Sequence, residues 1–390
     1  MDRDIWLKSA LKTSEIRKLR PQKSSRHVGE SMGYVRELEA DGLGGVVIAR
    51  TYFLVGSECR FSCSMCDLWK YTLETRKTPV GSLVSQVDAL HRDSVHRTDG
   101  GEVFERNEGN EAGGWGGKRE WLKLYNAANF FDEWNVPSEE RLAIVQRCGG
   151  FERVVVENHA AMFQSRYVRE EVLRFRDRLE GELEIALGLE TIESESMRIL
   201  NKGMRLEQFQ DAIEFLQREG VHSRAFVLLG PPGVPEGESV RWAKATCVQA
   251  VAWGVERCCV IPTRRGNGWL DQGERLGYWK PPTQLELEQV LEGLLTESRD
   301  GPTEEKSTEE KSVGEYPGQE SQGEERECGG KLQVGSPDRV RPVYTVDLWD
   351  WDLLDRCSGE SSSWHSIRRE RLLQMNLQQR WIPWSNLQSC

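Results

Sequence analysis

The sequence has no long apolar run. No stretch of its 390 residues approaches the roughly 20 consecutive apolar residues that a membrane-spanning helix needs, so a membrane span is excluded as an interpretation. The first residues include Asp2, Arg3 and Asp4, where a secretory signal peptide would have a basic start followed by an apolar stretch. We therefore expect a cytoplasmic protein with no membrane partner.

Basic charge is also scarce. The 52 Lys and Arg residues are outnumbered by 63 Asp and Glu residues, which gives a net charge of −11. Because affinity for nucleic acid depends largely on neutralising phosphates, this balance disfavours nucleic-acid binding by the chain as a whole and leaves only a local basic patch for that purpose. The apolar share of 38% is low for a globular enzyme and indicates polar insertions beside a normal core.

Two such polar segments stand out. Residues 94–118 are rich in Gly, Glu and Arg, and residues 298–341 contain two copies of the charged sequence Thr-Glu-Glu-Lys-Ser, at Thr303 and at Thr308. Neither segment can bury enough apolar surface to offset its ordering entropy. They divide the sequence into a basic leader (1–43), a core (44–297, with the insertion 94–118), a charged linker (298–341) and a Trp-rich extension (342–390). We expect the leader to be helical or poorly ordered, and the extension to fold back as a small appendage.

The core alternates between two kinds of pattern. Short β-branched apolar runs are followed by helical stretches six times, and the runs lie at residues 45–55, 121–125, 154–156, 183–189, 225–229 and 258–261. Strand–helix units in series indicate a parallel sheet with helices outside it. Six units are fewer than the eight of a closed barrel, so the expected fold is α/β, a TIM-like partial (β/α)6 barrel.

Cysteine use is uneven. Three of the ten cysteines lie within eight residues, Cys59-Arg-Phe-Ser-Cys63-Ser-Met-Cys66, directly after the first predicted strand. Cytosolic thiols stay reduced, so this spacing indicates a metal site or a catalytic site in preference to a disulfide. A structural zinc site takes four ligands, often as paired C-x2-C units, and the sequence has no second C-x2-C.

A 4Fe–4S cluster also takes four thiolates when the protein supplies every ligand. Three cysteines leave one iron open, as is required where S-adenosylmethionine (SAM) binds to that iron. Two other interpretations stay open: three unrelated buried thiols, or a zinc loop completed by a distant His or Cys.

With these motifs, the sequence resembles the radical SAM superfamily over residues 44–297. More specifically it is similar to the radical-SAM subunit of archaeosine synthase and, more distantly, to the radical domain of the Elongator catalytic subunit. The resemblance is carried by Cys63-Ser-Met-Cys66, Asn126-Ala-Ala-Asn-Phe-Phe-Asp132, Val156-Glu-Asn158, Gly188-Leu-Glu-Thr191 with Asn201-Lys-Gly203, and Gly277-Tyr-Trp-Lys-Pro-Pro282.

The resemblance implies two cofactors, a 4Fe–4S cluster and SAM, and an electron donor such as ferredoxin or flavodoxin. The implied reaction is reductive cleavage of SAM to a 5′-deoxyadenosyl radical that abstracts hydrogen from a substrate. A modified tRNA base or a deazapurine is the substrate that the resemblance suggests, while a small metabolite or a peptide stays open. Cys59, Cys63 and Cys66 are the implied metal ligands, and no catalytic residue is assigned beyond them.

Polar residues at the ends of the next three strands are the candidates for SAM contacts. Asn126 and Asn129 match the position that contacts the methionine amino group in the superfamily, although the Gly-Gly-Glu of many members is absent here. Glu157 and Asn158 suit ribose hydroxyls, and the other two candidates are Gly188 and Glu190. The alternative for each is a turn or strand-end residue satisfied within the protein.

Two other functions stay open. One is a non-catalytic iron–sulfur or zinc-binding protein on a degenerate barrel, and the other is SAM-dependent group transfer. Three strands in succession keep Asn or Glu at their ends, which favours an enzyme over a degenerate barrel.

Overall fold

In the part of the chain that the structure describes, eight strands form one sheet, in which they follow one another in chain order. In this computed structural model the described residues are 2–96, 119–300, 342–347 and 362–384. The first strand is antiparallel to the second, and all later neighbours are parallel. The strands are β1 (Gly33–Ala40), β2 (Val46–Phe53), β3 (Glu120–Tyr125), β4 (Arg153–Asn158), β5 (Glu182–Glu190), β6 (His222–Leu229), β7 (Arg257–Pro262) and β8 (Val343–Val346).

Most helices follow the parallel strands and cover the outer face of the sheet, whereas the first two precede β1. They are α1 (Arg3–Ser9), α2 (Thr13–Leu19), α3 (Ser82–His96), α4 (Ser138–Val145), α5 (Arg166–Arg176), α6 (Ser194–Ile199), α7 (Leu206–Arg218), α8 (Ser239–Ala252), α9 (Trp269–Arg275), α10 (Gln284–Asp300) and α11 (Ser362–Gln378), with 3-10 turns at Leu68–Tyr71 and Ala160–Gln164. The α/β fold with a barrel-type sheet is thus confirmed.

The two faces of each strand differ in polarity. In β3, Leu122 and Leu124 point outward into the main hydrophobic core, whereas Trp121, Lys123 and Tyr125 occupy the opposite face. The same alternation places charged residues on the inner face of β4, β5, β6 and β7. The interior of the barrel is therefore polar, and the apolar core lies between the sheet and its helices.

A buried ionic network, here called the ionic floor, fills the amino-terminal end of the barrel. Glu39 of β1 pairs with Lys123 of β3 and with Arg224 of β6, both at 2.5 Å. Arg224 also pairs with Glu184 of β5 at 2.6 Å, and Arg257 of β7 donates to the Ala40 carbonyl oxygen at 2.7 Å. Because these contacts join β1 to β6 and β7, the sheet is curled into a nearly closed barrel.

The charges of the ionic floor compensate one another. Burial acts to raise the pKa of Glu184, but Arg224, Arg257 and Arg153 outweigh it and lower that pKa to about 2. Burial of a charge is tolerated where it is paired and hydrogen-bonded, as it is here. The floor therefore stays ionised at neutral pH.

The sheet has two strands more than the six predicted, one at each edge. The antiparallel β1 precedes the first predicted strand, and β8 comes from the Trp-rich extension, which supplies part of the sheet and also helix α11. Asn376 and Gln379, at the end of α11, each exchange two hydrogen bonds of 2.8–3.0 Å with the backbone of β8, at Val346 and Tyr344. These side-chain amides cover the free edge of β8 as a neighbouring strand would.

The basic leader contains helices α1 and α2 and strand β1, and its helices are docked against the barrel. Trp6 of α1 is fully buried and stacks on Trp269 of α9, with ring centroids 4.2 Å apart and planes 9° apart. Ile16 of α2 belongs to the same small hydrophobic cluster. This packing holds the leader beside the carboxyl ends of the strands.

Several predicted features lie outside the described residues. They are most of the insertion 94–118, most of the linker 298–341 with its Cys328, and much of the Trp-rich extension, which includes Trp349, Trp351, Cys357 and Cys390. Among the residues that the structure describes, no helix is both long and apolar enough to cross a membrane.

Candidate cofactor site

The cysteine loop follows β2 at the carboxyl end of the parallel strands and is held from several sides. The Ser64 amide and hydroxyl donate to the carbonyl oxygens of Leu200 and Ile199, both at 2.9 Å. Asn267 donates its side-chain amide to the Ser64 carbonyl oxygen at 2.5 Å, and Arg60 makes a two-bond ion pair of 2.5–2.6 Å with the buried Asp132. The loop therefore has a fixed conformation at the mouth of the barrel.

All three thiols of the loop are free and shielded from solvent. Cys63 is buried, and Cys59 and Cys66 are half-buried. Burial raises the pKa of the Cys59 thiol to about 11 and the pKa of the Cys63 and Cys66 thiols to about 12, and each thiol lies within electrostatic range of another of the three. Such thiols are protonated until a metal or a nearby cation favours the thiolate.

Across the described ranges, no three His, Cys, Asp or Glu side chains are arranged around a common point as the ligands of a metal ion would be. The loop nevertheless supplies the donor set of a cluster: three thiols on one short segment, each near another. Thiolate sulfur is the ligand that iron–sulfur clusters take in proteins. The chemistry of these residues thus fits a three-cysteine cluster.

A buried cation lies beside the thiols. Lys202 forms a 2.7 Å ion pair with Glu190, and both side chains are more than nine-tenths buried. Burial acts to lower the pKa of Lys202, but Glu190, Cys63 and Cys59 outweigh it and raise that pKa to about 12. A permanent positive charge at this place favours the thiolate form of Cys59 and Cys63.

Gly188 makes room for this ion pair. A Cβ at this position would lie 2.6 Å from the Lys202 Nζ and would also overlap the Glu190 carboxylate. Glu190 has a left-handed backbone, with φ at +68°, and so does Asn201, next to Lys202, with φ at +49°. Non-glycine residues seldom adopt this conformation, and where they do it often marks a functional site.

Asn126 has an amide with no partner. The residue is fully buried at the end of β3, and neither Nδ2 nor Oδ1 has a hydrogen-bond partner among the described residues. A buried unpaired amide is costly unless a ligand completes it. Asn129 is satisfied instead, because its Nδ2 donates to the Cys59 sulfur at 3.3 Å and its Oδ1 accepts from the His159 amide at 2.8 Å.

Glu157 and Asn158 hold the neighbouring turn. The Glu157 carboxylate accepts the Asn126 amide at 2.8 Å and also takes hydrogen bonds from the backbone of Ala127 and Ala128. Burial outweighs these bonds and raises the pKa of Glu157 to about 7. Asn158 accepts from the Phe131 amide at 3.1 Å. The structure thus gives both side chains partners within the protein, and their contact with a ribose stays a prediction.

The structure therefore brings together the three cysteines, Asn126, Asn129, Gly188 and Glu190 at one end of the barrel. Lys202 was not among the candidates from the sequence, although the Asn201-Lys-Gly203 segment that contains it is part of the family resemblance. The available signal in the sequence was a lysine beside a glycine, in the short segment between α6 and α7.

His159 is a second residue of the site that was not among the candidates from the sequence. Its ring stacks on Phe61 of the cysteine loop, with centroids 3.8 Å apart and planes 10° apart, and its Nε2 is hydrogen-bonded to the Lys202 carbonyl oxygen at 3.0 Å. Burial lowers the pKa of His159 to about 3, so the ring is neutral. A neutral His159 joins the cysteine loop to the loop that carries Lys202.

The chain matches no family model. Among curated proteins it is 24% identical over 149 residues to an uncharacterized protein of Methanocaldococcus jannaschii, an alignment that spans 38% of this chain and 40% of that protein. The chain thus spans about two fifths of the length of the curated relative that it matches.

Among solved structures, the chain is similar to Elp3 of Methanocaldococcus infernus, with a TM-score of 0.37, 13% identity and coverage of 45% of each chain. It is similar to methylornithine synthase, with a TM-score of 0.36, 13% identity and coverage of 65% of this chain and 66% of that one. It is also similar to TsrM of Kitasatospora setae, a radical SAM methyltransferase solved with tryptophan and a SAM analogue, with a TM-score of 0.38, 14% identity and coverage of 60% and 40%. Because each TM-score is below 0.5, these likenesses identify neither a cofactor nor a substrate for this chain.

Proposed function

We propose that the chain is a radical SAM enzyme that holds a 4Fe–4S cluster on Cys59, Cys63 and Cys66. The observation that carries the proposal is the set of three shielded thiols on one loop at the mouth of a barrel, with the Lys202 ammonium beside them. When bound, the cluster and SAM supply a reductive cleavage that yields methionine and a 5′-deoxyadenosyl radical, which removes hydrogen from a substrate.

The side chains around the thiols have distinct parts in this proposal. Lys202 offsets the negative charge that builds up when thiolates bind metal, and Glu190 holds its ammonium in place at 2.7 Å. Asn126 offers one donor and one acceptor, which suits the carboxylate and amino groups of the methionine part of SAM. Asn129 orients Cys59 through its 3.3 Å hydrogen bond to the sulfur.

The interior of the barrel supports a planar substrate. Tyr125 of β3 and Phe226 of β6 are half-buried and meet edge to face, with centroids 6.2 Å apart. The charges of Arg224 and Lys123 in the ionic floor lie close to the Tyr125 hydroxyl. Aromatic walls of this kind bind flat rings well. Together with the resemblance in sequence, they support a modified purine base or a deazapurine as the substrate, either free or within tRNA.

Anaerobic reconstitution with iron and sulfide tests the proposal. The wild type and a Cys59→Ala, Cys63→Ala, Cys66→Ala variant receive SAM and dithionite, and iron content and 5′-deoxyadenosine are measured. A Cys148→Ala variant is the matched control, because Cys148 is a buried thiol hydrogen-bonded to the Ile144 carbonyl oxygen in the outer core. We expect the wild type and the control, but not the triple variant, to load iron and form the nucleoside.

The other outcomes separate the competing functions. Zinc uptake without iron would overturn the proposal and favour a zinc-binding protein. Iron uptake with no binding of SAM would favour a non-catalytic iron–sulfur protein. Consumption of SAM without 5′-deoxyadenosine would indicate group transfer, because only radical cleavage gives that product.

A further inference from the structure

Six basic side chains, here called the basic rim, flank the cysteine loop at the mouth of the barrel. Their local positive charge contrasts with the net charge of −11 of the whole chain. Their contacts place them on both sides of the loop. The basic rim consists of Arg17, Lys23, Arg26, Arg60, Arg76 and Lys77.

One side of the rim comes from the leader. Arg17 donates to the Ser62 hydroxyl of the cysteine loop at 3.0 Å, and Lys23 donates to the Leu73 carbonyl oxygen at the same distance. Arg26 lies over the ring of Tyr71, 5.9 Å from its centroid. The docking of α1 and α2 therefore brings leader cations against the loop that carries the thiols.

The other side of the rim surrounds Trp134. Arg76, Arg60 and Lys77 lie 4.4, 5.4 and 6.0 Å from the centroid of this ring. Arg60 belongs to the cysteine loop itself, and all three cations are exposed. The ring holds these side chains in place, which reduces the entropy that they lose when a partner binds.

The two sides are continuous and largely unneutralised. The segment from Thr72 to Thr78 connects them, because Lys23 bonds to its first residues and the Thr78 amide donates to the Trp134 carbonyl oxygen at 2.9 Å. Within the described ranges no carboxylate pairs with Arg17, Lys23, Arg26, Arg76 or Lys77. The carboxylates that face the rim are Glu58 and Asp132, already paired with Arg20 and Arg60, and the exposed Glu74.

This surface fits an acidic partner of limited extent. A single-stranded nucleic acid stacks its bases on open aromatic faces, but the guanidinium groups of Arg26 and Arg76 already lie over the rings of Tyr71 and Trp134. The net charge of −11 of the whole chain also disfavours a long polyanion. A small acidic protein would meet the cations alone, and charge complementarity of this kind speeds association.

We propose that the basic rim is the docking surface for a small acidic electron-transfer protein, which delivers its electron across the cysteine loop. The proposal rests on the proposed function, because it requires a cluster on that loop. In the step itself, the donor is oxidised by one electron and the cluster is reduced by one electron, with no atom transferred. Arg60 follows Cys59 in the loop and is exposed, so a partner on the rim would contact the cysteine loop itself.

Flavodoxin is the probe in the test, and binding to the full-length chain is measured with and without the reconstituted cluster. The variant is Arg76→Glu with Lys77→Glu. Its matched control is Arg178→Glu with Arg218→Glu, the same change of charge at exposed positions. Arg178 follows α5 and Arg218 ends α7, at the opposite end of the barrel. We expect the rim variant to weaken flavodoxin binding and to slow cluster reduction by flavodoxin by about 10-fold or more at low salt, with the control unchanged.

Reduction by dithionite separates the two proposals. If dithionite reduces the cluster in every variant while flavodoxin reduces the rim variant as fast as the wild type, the docking proposal is wrong. The proposal of a cluster on the three cysteines is unaffected by that result. If no cluster forms, the proposed function fails, and binding of flavodoxin to the cluster-free chain still tests the surface. Binding of a single-stranded RNA that the rim variant loses, with no binding of flavodoxin, would overturn the proposal in favour of nucleic acid.

Discussion

Glu157 should make the stability of the chain fall as the pH rises through neutrality. Its carboxyl group anchors the turn after β3, and burial raises its pKa from 4.5 to about 7. A carboxyl whose pKa is raised in the folded state contributes stability that is fully present below its unfolded pKa and is lost as the pH rises through the folded pKa. The loss therefore falls between about pH 4.5 and pH 7.

The size of the effect follows from the shift. A shift of about 2.5 pKa units corresponds to about 3 kcal/mol, and we expect about 2 to 3 kcal/mol because a half-buried carboxyl keeps some contact with solvent. Glu157→Gln removes the ionisation. From pH 5 to pH 8 the free energy of unfolding of the variant should rise by this amount relative to that of the wild type.

Urea unfolding of the cluster-free chain, followed by tryptophan fluorescence at several pH values, measures the difference. Glu195→Gln is the control, because the Arg198 side chain lowers the pKa of that exposed carboxyl and keeps it ionised throughout the range. Curves for the wild type and Glu157→Gln that stay parallel from pH 5 to pH 8 would refute the reasoning.

Three further predictions concern other parts of the molecule. Asn126→Leu should weaken SAM binding about 10-fold or more. The melting temperature of the cluster-free chain should stay equal or rise, because the side-chain amide has no hydrogen-bond partner to lose among the described residues. A clear loss of stability would contradict a ligand-binding role. Asn376→Ala with Gln379→Ala should lower the free energy of unfolding by about 2 to 4 kcal/mol, since four hydrogen bonds to β8 are lost. The control Gln378→Ala, at an exposed position at the end of the same helix, should change it little in the same urea experiment. Glu288→Gln should cost about 3 kcal/mol by calorimetry, because it leaves two buried arginines without their shared carboxylate, and a loss below about 1 kcal/mol would show that the pair is not needed.

The six inner strands could be predicted because their outward faces are continuous with the apolar core. In β3, β4, β5 and β6 this face carries Val, Ile or Leu at alternate positions, and these side chains pack under the helices. The position of the cysteine loop at the carboxyl end of the sheet could be predicted because the loop directly follows a predicted strand. The prediction of a parallel, barrel-type sheet followed from local patterns alone.

The two edge strands and the ionic floor could not be predicted in this way. In β1, Glu37 and Glu39 resemble the exposed face of a surface strand, and they become internal because the sheet closes. One partner of Glu39, Arg224, lies 185 residues away along the chain. Pairing over such a distance leaves no periodic trace in the sequence.

At the site, the limits were similar. The three cysteines are specified by spacing, whereas the partnership of Lys202 with Glu190 depends on how a loop folds back over the end of β5. Glu157 was assigned to a ribose because it follows a strand. Its hydrogen bonds to the turn after the neighbouring strand are visible only in three dimensions.

The origin of β8 has a consequence for how the chain is made. This strand and the helix that covers its edge come from residues 343–378, so the edge of β7 has no neighbour until the ribosome has synthesised the last part of the described chain. Until then an unpaired strand edge is available to other nascent chains. Shortened versions that end after α10 should therefore aggregate during expression, although they keep every residue of the cysteine loop.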